Sequence, residues 1–202
     1  MIKILGLLNH LKYMRRFILA EGFLEYLWFL RTQPKFYENF HHVVSGDKYP
    51  SESLKNMSVS KALPMYKWSH YFDIYAMYLS KYRNQLQDSP LRVLEIGVAD
   101  GGSLLFWQEF FGTHALILGI DIDPKCLKLP VDNCSVRIGS QSDGKFLLDS
   151  IKEFGGVDVV IDDGSHINAD VISSFKNLFP VMNDGGTYLI EDVSTSYWPG
   201  VY

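Results

Sequence analysis

The sequence predicts an α/β fold built on a doubly wound, mostly parallel sheet. Three observations predict it. From residue 91 onward, strand-like apolar runs alternate with helix-like segments. The strand-like runs are nearly continuous in apolar residues, as strands covered on both faces are. Acidic residues gather at the ends of those runs, where ligands of such sheets sit.

The elements follow in order. Residues 1–43 are apolar and basic and read as an amphipathic helical arm. No run there reaches the roughly 20 apolar residues of a spanning helix, and the signal-peptide order is lacking. Such an arm suits packing on the main domain or a partner subunit, and also contact with a membrane surface. Residues 44–61 turn polar and read as a linker. The main domain is expected over 62–202. It opens with a helix over 69–83, with Ser69 as N-cap, a stripe of Tyr71, Ile74, Tyr75, Tyr78, Leu79 and Tyr82, and Pro90 as its end. Strands are expected over 91–97, 115–122, 135–139, 157–162 and 186–192. Helices are expected over 102–112, 145–154 and 168–179, the second capped by Asp143.

Charge narrows the function. Residues 1–35 hold six basic and two acidic residues, so +4; the net charge of −4 leaves −8 for the rest. So acidic a domain is a poor nucleic-acid surface and a good host for a cation. Two cysteines, Cys126 and Cys134, argue against a disulfide framework and for a reducing compartment, the cytoplasm.

The stretch "VLEIGVADGGS" (93–103) ends a strand in an acid and turns on glycines into a helix. Gly97, Gly101 and Gly102 do not have the GxGxxG spacing of a pyrophosphate binder. Glu95 would also repel a phosphate. Asp121 ends the next strand, where an acid accepts from ribose hydroxyls. Two such acids suit a cationic, non-phosphorylated nucleoside, of which S-adenosylmethionine is one. Asp100, Gly102, Ser103 and Ile122 flank these positions. "GSQSD" (139–143) offers Ser140, Gln141 and Asp143 to an adenine edge, with helix capping as the other reading of Asp143. "VIDDGSH" (160–166) and "YLIEDVSTSYW" (188–198) carry the remaining acids. Ionised carboxylates are costly to bury unpartnered. Asp162 is read as facing the cofactor or supporting its loop; capping of the next helix is the other reading of Asp162 and Asp163.

The motifs "VLEIGVADGGSL", "GIDIDP", "IDDGSH" and "GGTYLIEDVSTSYW" resemble those of class I S-adenosylmethionine-dependent methyltransferases, whose fold is Rossmann-like. More narrowly, they are similar to the metal-dependent macrolide-sugar O-methyltransferases of the mycinamicin/macrocin type, and to relatives known as cephalosporin hydroxylases. The resemblance covers roughly residues 61–202. It implies cofactor binding by Glu95 and Gly97, magnesium ligation by Asp163, Glu191 and Asp192, and a general base at His166. The chemistry is coherent: carboxylates from adjacent strand ends make a hard oxygen site for magnesium, and a divalent cation lowers the pKa of a sugar hydroxyl. "MYKWSHYFDIY" (65–75) resembles the segment preceding the cofactor domain, so Lys67, His70 and Tyr71 are expected near cofactor or substrate. Tyr197 and Trp198 are candidates for a sugar-stacking wall.

The expected activity is therefore magnesium- and S-adenosylmethionine-dependent O-methylation of a sugar-containing small molecule by a homo-oligomer. A hydroxylase or oxidoreductase on the same fold, or a non-catalytic binding module, are the alternatives. The expected domain stops after its fifth strand, without the final helix and antiparallel strand pair of the resembled fold.

Overall fold

The structure, a computed structural model, describes residues 63–68, 70–83 and 89–193. The expected helical arm, the whole linker, Ser69, Tyr197 and Trp198 lie outside the described residues. No helix among the described residues is long and apolar enough to cross a membrane.

The chain forms α1 (Tyr71–Leu79), β1 (Leu91–Ile96), α2 (Gly102–Phe111), β2 (Ala115–Asp121), β3 (Cys134–Ile138), α3 (Gly144–Phe154), β4 (Val159–Asp162), α4 (Asn168–Leu178) and β5 (Thr187–Ile190). Short 3₁₀ turns follow α1, β2 and α4. The five strands form one parallel sheet in the order β3-β2-β1-β4-β5. The chain runs outward through β2 and β3, then returns to the other side of β1 as β4. The crevice beyond the carboxyl ends of β1 and β4 is thus the topological switch point, where open α/β sheets bind ligands.

Side-chain alternation sorts the core onto two faces. Val93, Ile117, Val159 and Ile161 join Phe72, Tyr75, Phe106, Trp107 and Phe110 under α1 and α2. Leu94, Leu118, Ile120 and Val160 join Leu147, Ile151 and Leu178 under α3 and α4. The first face is dominated by aromatics packed edge to face, with Tyr75–Trp107 centroids 4.9 Å apart and Phe106–Trp107 4.8 Å. Each such pair contributes about 0.5–1.5 kcal/mol beyond its burial.

Two expectations change. The buried stripe of α1 is Phe72, Tyr75 and Leu79, continued by Tyr82, whereas Ile74 and Tyr78 face solvent. The expected stripe mixed two adjacent faces, because aromatics occupy both. The fifth strand is shorter than expected: Glu191 and Asp192 lie beyond it, although the Glu191 N–H still donates to the Asp162 carbonyl. That shortening sets the geometry of the site.

Candidate active site

Parity along the strands decides where each acid points. Glu95 on β1 and Glu191, just past β5, fall on the α1/α2 face; Asp162 ends β4 on the α3/α4 face. Asp162 is buried and accepts from Ser174 Oγ (2.5 Å), Gln141 Nε2 (3.1 Å) and Tyr188 OH (3.1 Å). Burial pushes its pKa up against those bonds. Gln141 in turn accepts from the Ser165 N–H at 2.6 Å. Asp162 and Gln141 thus brace the loop 163–166 from below, the Gln141 amide bonding Asp162, Ser174 and the Ser165 N–H. Nor do the aspartates cap α4: its N-cap is Ile167, and Ser165 Oγ accepts from the Ile167 N–H.

The other face holds the second network. Glu95 is fully buried and accepts from Ser103 Oγ (2.7 Å) and Trp107 Nε1 (3.0 Å). Glu95 and Ser103 therefore bond to each other beneath the loop rather than face its outer surface, because strand parity turns Glu95 toward α2. Lys67, only 6% exposed, donates to Asp163 Oδ2 at 2.7 Å and Glu191 Oε2 at 2.8 Å, with Glu95 Oε1 3.7 Å away. Burial alone would push the Lys67 pKa down; Glu191, Asp163 and Glu95 more than offset it and hold it above the usual lysine value. The Tyr75 hydroxyl donates to Glu191 Oε1 at 2.5 Å. Burial, with the Asp163 charge adding to it and Lys67 opposing, pushes Glu191 up to about 7. Asp163 is raised by burial in the same way.

Asp192 is held from the side. Its Oδ1 accepts from Trp68 Nε1 (2.8 Å) and the Tyr71 hydroxyl (2.7 Å). Its Oδ2 lies 3.9 Å from His166 Nε2, which is 3.7 Å from Asp163 Oδ1. Asp163, His166 and Asp192 each present one ligand atom within 4.8 Å of the others, and all three are partly exposed. His166 (φ 57°) and Asp192 (φ 54°) are both in the left-handed region, two of four such non-glycine residues among those described. Backbone held there costs about 1–3 kcal/mol and gathers at functional sites.

The switch point is tightly built. Gly97, at φ 91°, abuts the Asp163 carbonyl, which a Cβ there would strike; at Gly102 a Cβ would strike the Pro64 carbonyl. Those glycines admit the chain's own backbone. Asp121 accepts from the Val98 and Ala99 N–H groups at 2.8 and 2.9 Å, pinning the loop after β1. Asp143 caps α3 through the Phe146 N–H at 3.0 Å, the second of its two expected roles. The Ser140 hydroxyl is bonded to that of Ser142. Asp100 and Ile122, the latter 73% exposed, remain open beyond β1 and β2. A cavity of about 310 Å³ between α1 and β5 adjoins the acid network, sharing Tyr71, Tyr75 and Glu191 with it and lined also by His70, Ile74 and Leu189.

The chain is 40% identical over 168 residues to mycinamicin VI 2''-O-methyltransferase of Micromonospora griseorubida, a match covering 78% of this chain and 40% of that enzyme. It is 37% identical to demethylmacrocin O-methyltransferase of Streptomyces fradiae, with the same coverages. Among solved structures, the MycE methyltransferase in complex with Mg, SAH and mycinamycin VI superposes with a TM-score of 0.62 at 39% identity, over 74% of this chain and 40% of that one. This chain is a homologue of the mycinamicin/macrocin-type O-methyltransferases. It spans about two fifths of the length of these relatives. No protein-family model matches it.

In this mycinamicin/macrocin-type homologue, sequence reasoning passed over Trp68, Tyr75, Ser174 and Tyr188. Tyr75 was legible only as a core residue, since its ring packs as one while its hydroxyl serves Glu191. Trp68 adjoins Lys67 in the 65–75 segment, the one signal that could have drawn it in. Lys67 was expected near cofactor or substrate; it lies inside the acid cluster, where the buried Glu95 and Glu191 and the partly buried Asp163 require a counter-charge.

Proposed function

We propose that the chain is an S-adenosylmethionine- and divalent-cation-dependent O-methyltransferase acting on a hydroxyl of a sugar or sugar-bearing small molecule. The observation that carries this reading is the convergence of Asp163, His166 and Asp192 beside the Gly97 loop at the switch point. The homology supports it. The MycE structure is described as a complex with Mg and SAH.

The residues fit both groups. The Asp163 and Asp192 carboxylates, with ligand atoms within 4.8 Å of each other, suit a divalent cation, and oxygen donors suit magnesium, leaving His166 beside them as a base. Asp163, Glu191 and Asp192 would hold it. The open residues Ala99, Asp100 and Ile122 lie where the nucleoside would approach, past Asp121. When bound, the cation supplies Lewis acidity to a hydroxyl, and S-adenosylmethionine supplies the methyl group.

The chain's own residues do the rest. His166 Nε2 accepts the acceptor hydroxyl's proton as general base, a contribution of about 10²–10⁴-fold. Trp68 and Tyr71 fix the Asp192 carboxylate, and Lys67 fixes that of Asp163, so both acids are oriented before a ligand arrives. Such preorganisation of the reacting groups is a large share of a transfer reaction's rate enhancement. The reading also takes the protein as a cytoplasmic homo-oligomer, with its basic N-terminal arm able to touch a membrane surface; acidity of the main domain and the two lone thiols support the compartment and the small-molecule acceptor.

Calorimetry of the full chain with S-adenosylhomocysteine, with and without magnesium, tests the proposal. Binding of the nucleoside is expected. No heat at either condition, from folded protein, would contradict it.

A further inference from the structure

The site as read uses Asp163, His166 and Asp192 directly, yet a buried cation, Lys67, stands beside them. Lys67 comes from the segment ahead of α1 and meets carboxylates on β1 and immediately after β4 and β5. Two ammonium donors are spent at 2.7 and 2.8 Å, and Glu95 lies at 3.7 Å. The next residue, Trp68, bonds Asp192. One dipeptide thus grips Asp163, Glu191 and Asp192 together. The segment is tied at its other end too, where the Pro64 carbonyl packs on Gly102 at the start of α2.

Three carboxylates (Glu95, Asp163 and Glu191) face this one ammonium. Like charges so close repel strongly in a partly dry site. Lys67 relieves that repulsion and takes one oxygen each of Asp163 and Glu191. Those oxygens would otherwise belong to any metal ion bound there.

We propose that Lys67 is a built-in cation that orients Asp163 and Glu191 and competes with the divalent cation for them, so that the metal is held exchangeably. Lys67 is a positioning residue on this account, acting through the acids. The inference rests on the metal-binding reading above, and its test separates the two.

Binding of Mn²⁺ to the full chain is followed by the electron paramagnetic resonance signal of the unbound ion, with no turnover required. Lys67→Met is expected to bind at least about tenfold more tightly than the natural chain, because a positive charge beside the site is gone. Lys67→Arg, which keeps the charge, is expected to stay near the natural affinity. Binding by Lys67→Met alone, at concentrations where the natural chain shows none, also supports the inference. Unchanged affinity in a folded Lys67→Met overturns it and leaves the metal site standing, as does equal tightening by Lys67→Arg. Absence of Mn²⁺ binding in every variant overturns both. Should Lys67→Met fail to fold, Lys67→Met/Glu191→Gln is compared with Glu191→Gln: tighter binding by the double variant supports the competition, and equal binding refutes it.

Discussion

Asp162 and Asp163 are neighbours with opposite surroundings, and that contrast is the finest-scale test of the site. Asp162 is enclosed by Ser174, Gln141 and Tyr188, while Asp163 meets Lys67 and His166. Asp163→Asn is expected to abolish divalent-cation binding while leaving S-adenosylhomocysteine affinity within about threefold, read by calorimetry of each ligand separately. His166→Ala is expected to retain the metal and lose about 10²–10⁴-fold in kcat; loss of metal affinity instead would make His166 a ligand. Glu191 gives a pH signature. Its pKa rises from 4.5 to about 7 on folding, so the folded chain binds the extra proton between those values. Stability of the metal-free protein should therefore fall as pH rises through that window, and level off above it. Thermal unfolding across the window should show the decline in the natural chain and a flatter profile in Glu191→Gln. The acid motifs themselves were legible, because ionised groups at strand ends demand a reason. Their division was not. It depends on strand parity at β4 and β5, and on a lysine 96 residues away from Asp163 in sequence.

Elements were read more securely than contacts. Nearly continuous apolar runs gave β1 to β5 their places, and the parallel order follows from the alternation with helices. Boundaries drifted where turn chemistry rather than periodicity ends an element, as at β5. The face of α1 was misread because Tyr is equally at home in a core and at its edge. Loop glycines invited a ligand explanation, and at Gly97 the Asp163 carbonyl adds a structural one. Gly97→Ala should accordingly cost at least about 2 kcal/mol, from left-handed strain together with the steric clash. Chemical denaturation measures it; a neutral outcome would mean the β1–β4 crevice is looser than described. Asp143→Ala should cost about 1 kcal/mol through loss of the α3 cap. Its nucleoside affinity, by calorimetry, should barely change, since that carboxylate is spent on the Phe146 N–H.

At the scale of the molecule, one sheet brings every proposed function to a single end. Cofactor-side residues follow β1 and β2, metal-side residues follow β4 and β5, and the segment before α1 reaches across to both through Lys67 and Trp68. The acidic balance of the main domain fits a centre that receives a divalent cation and a sulfonium. The homology spans this sheet and two fifths of the relatives' length. The most direct measurement is the anomalous difference map of crystals of the full chain grown with S-adenosylhomocysteine and manganese. The account predicts one manganese peak between the Asp163 and Asp192 carboxylates, with the nucleoside lying along the Gly97 loop. Manganese elsewhere, or a nucleoside bound away from the β1–β4 crevice, would contradict it.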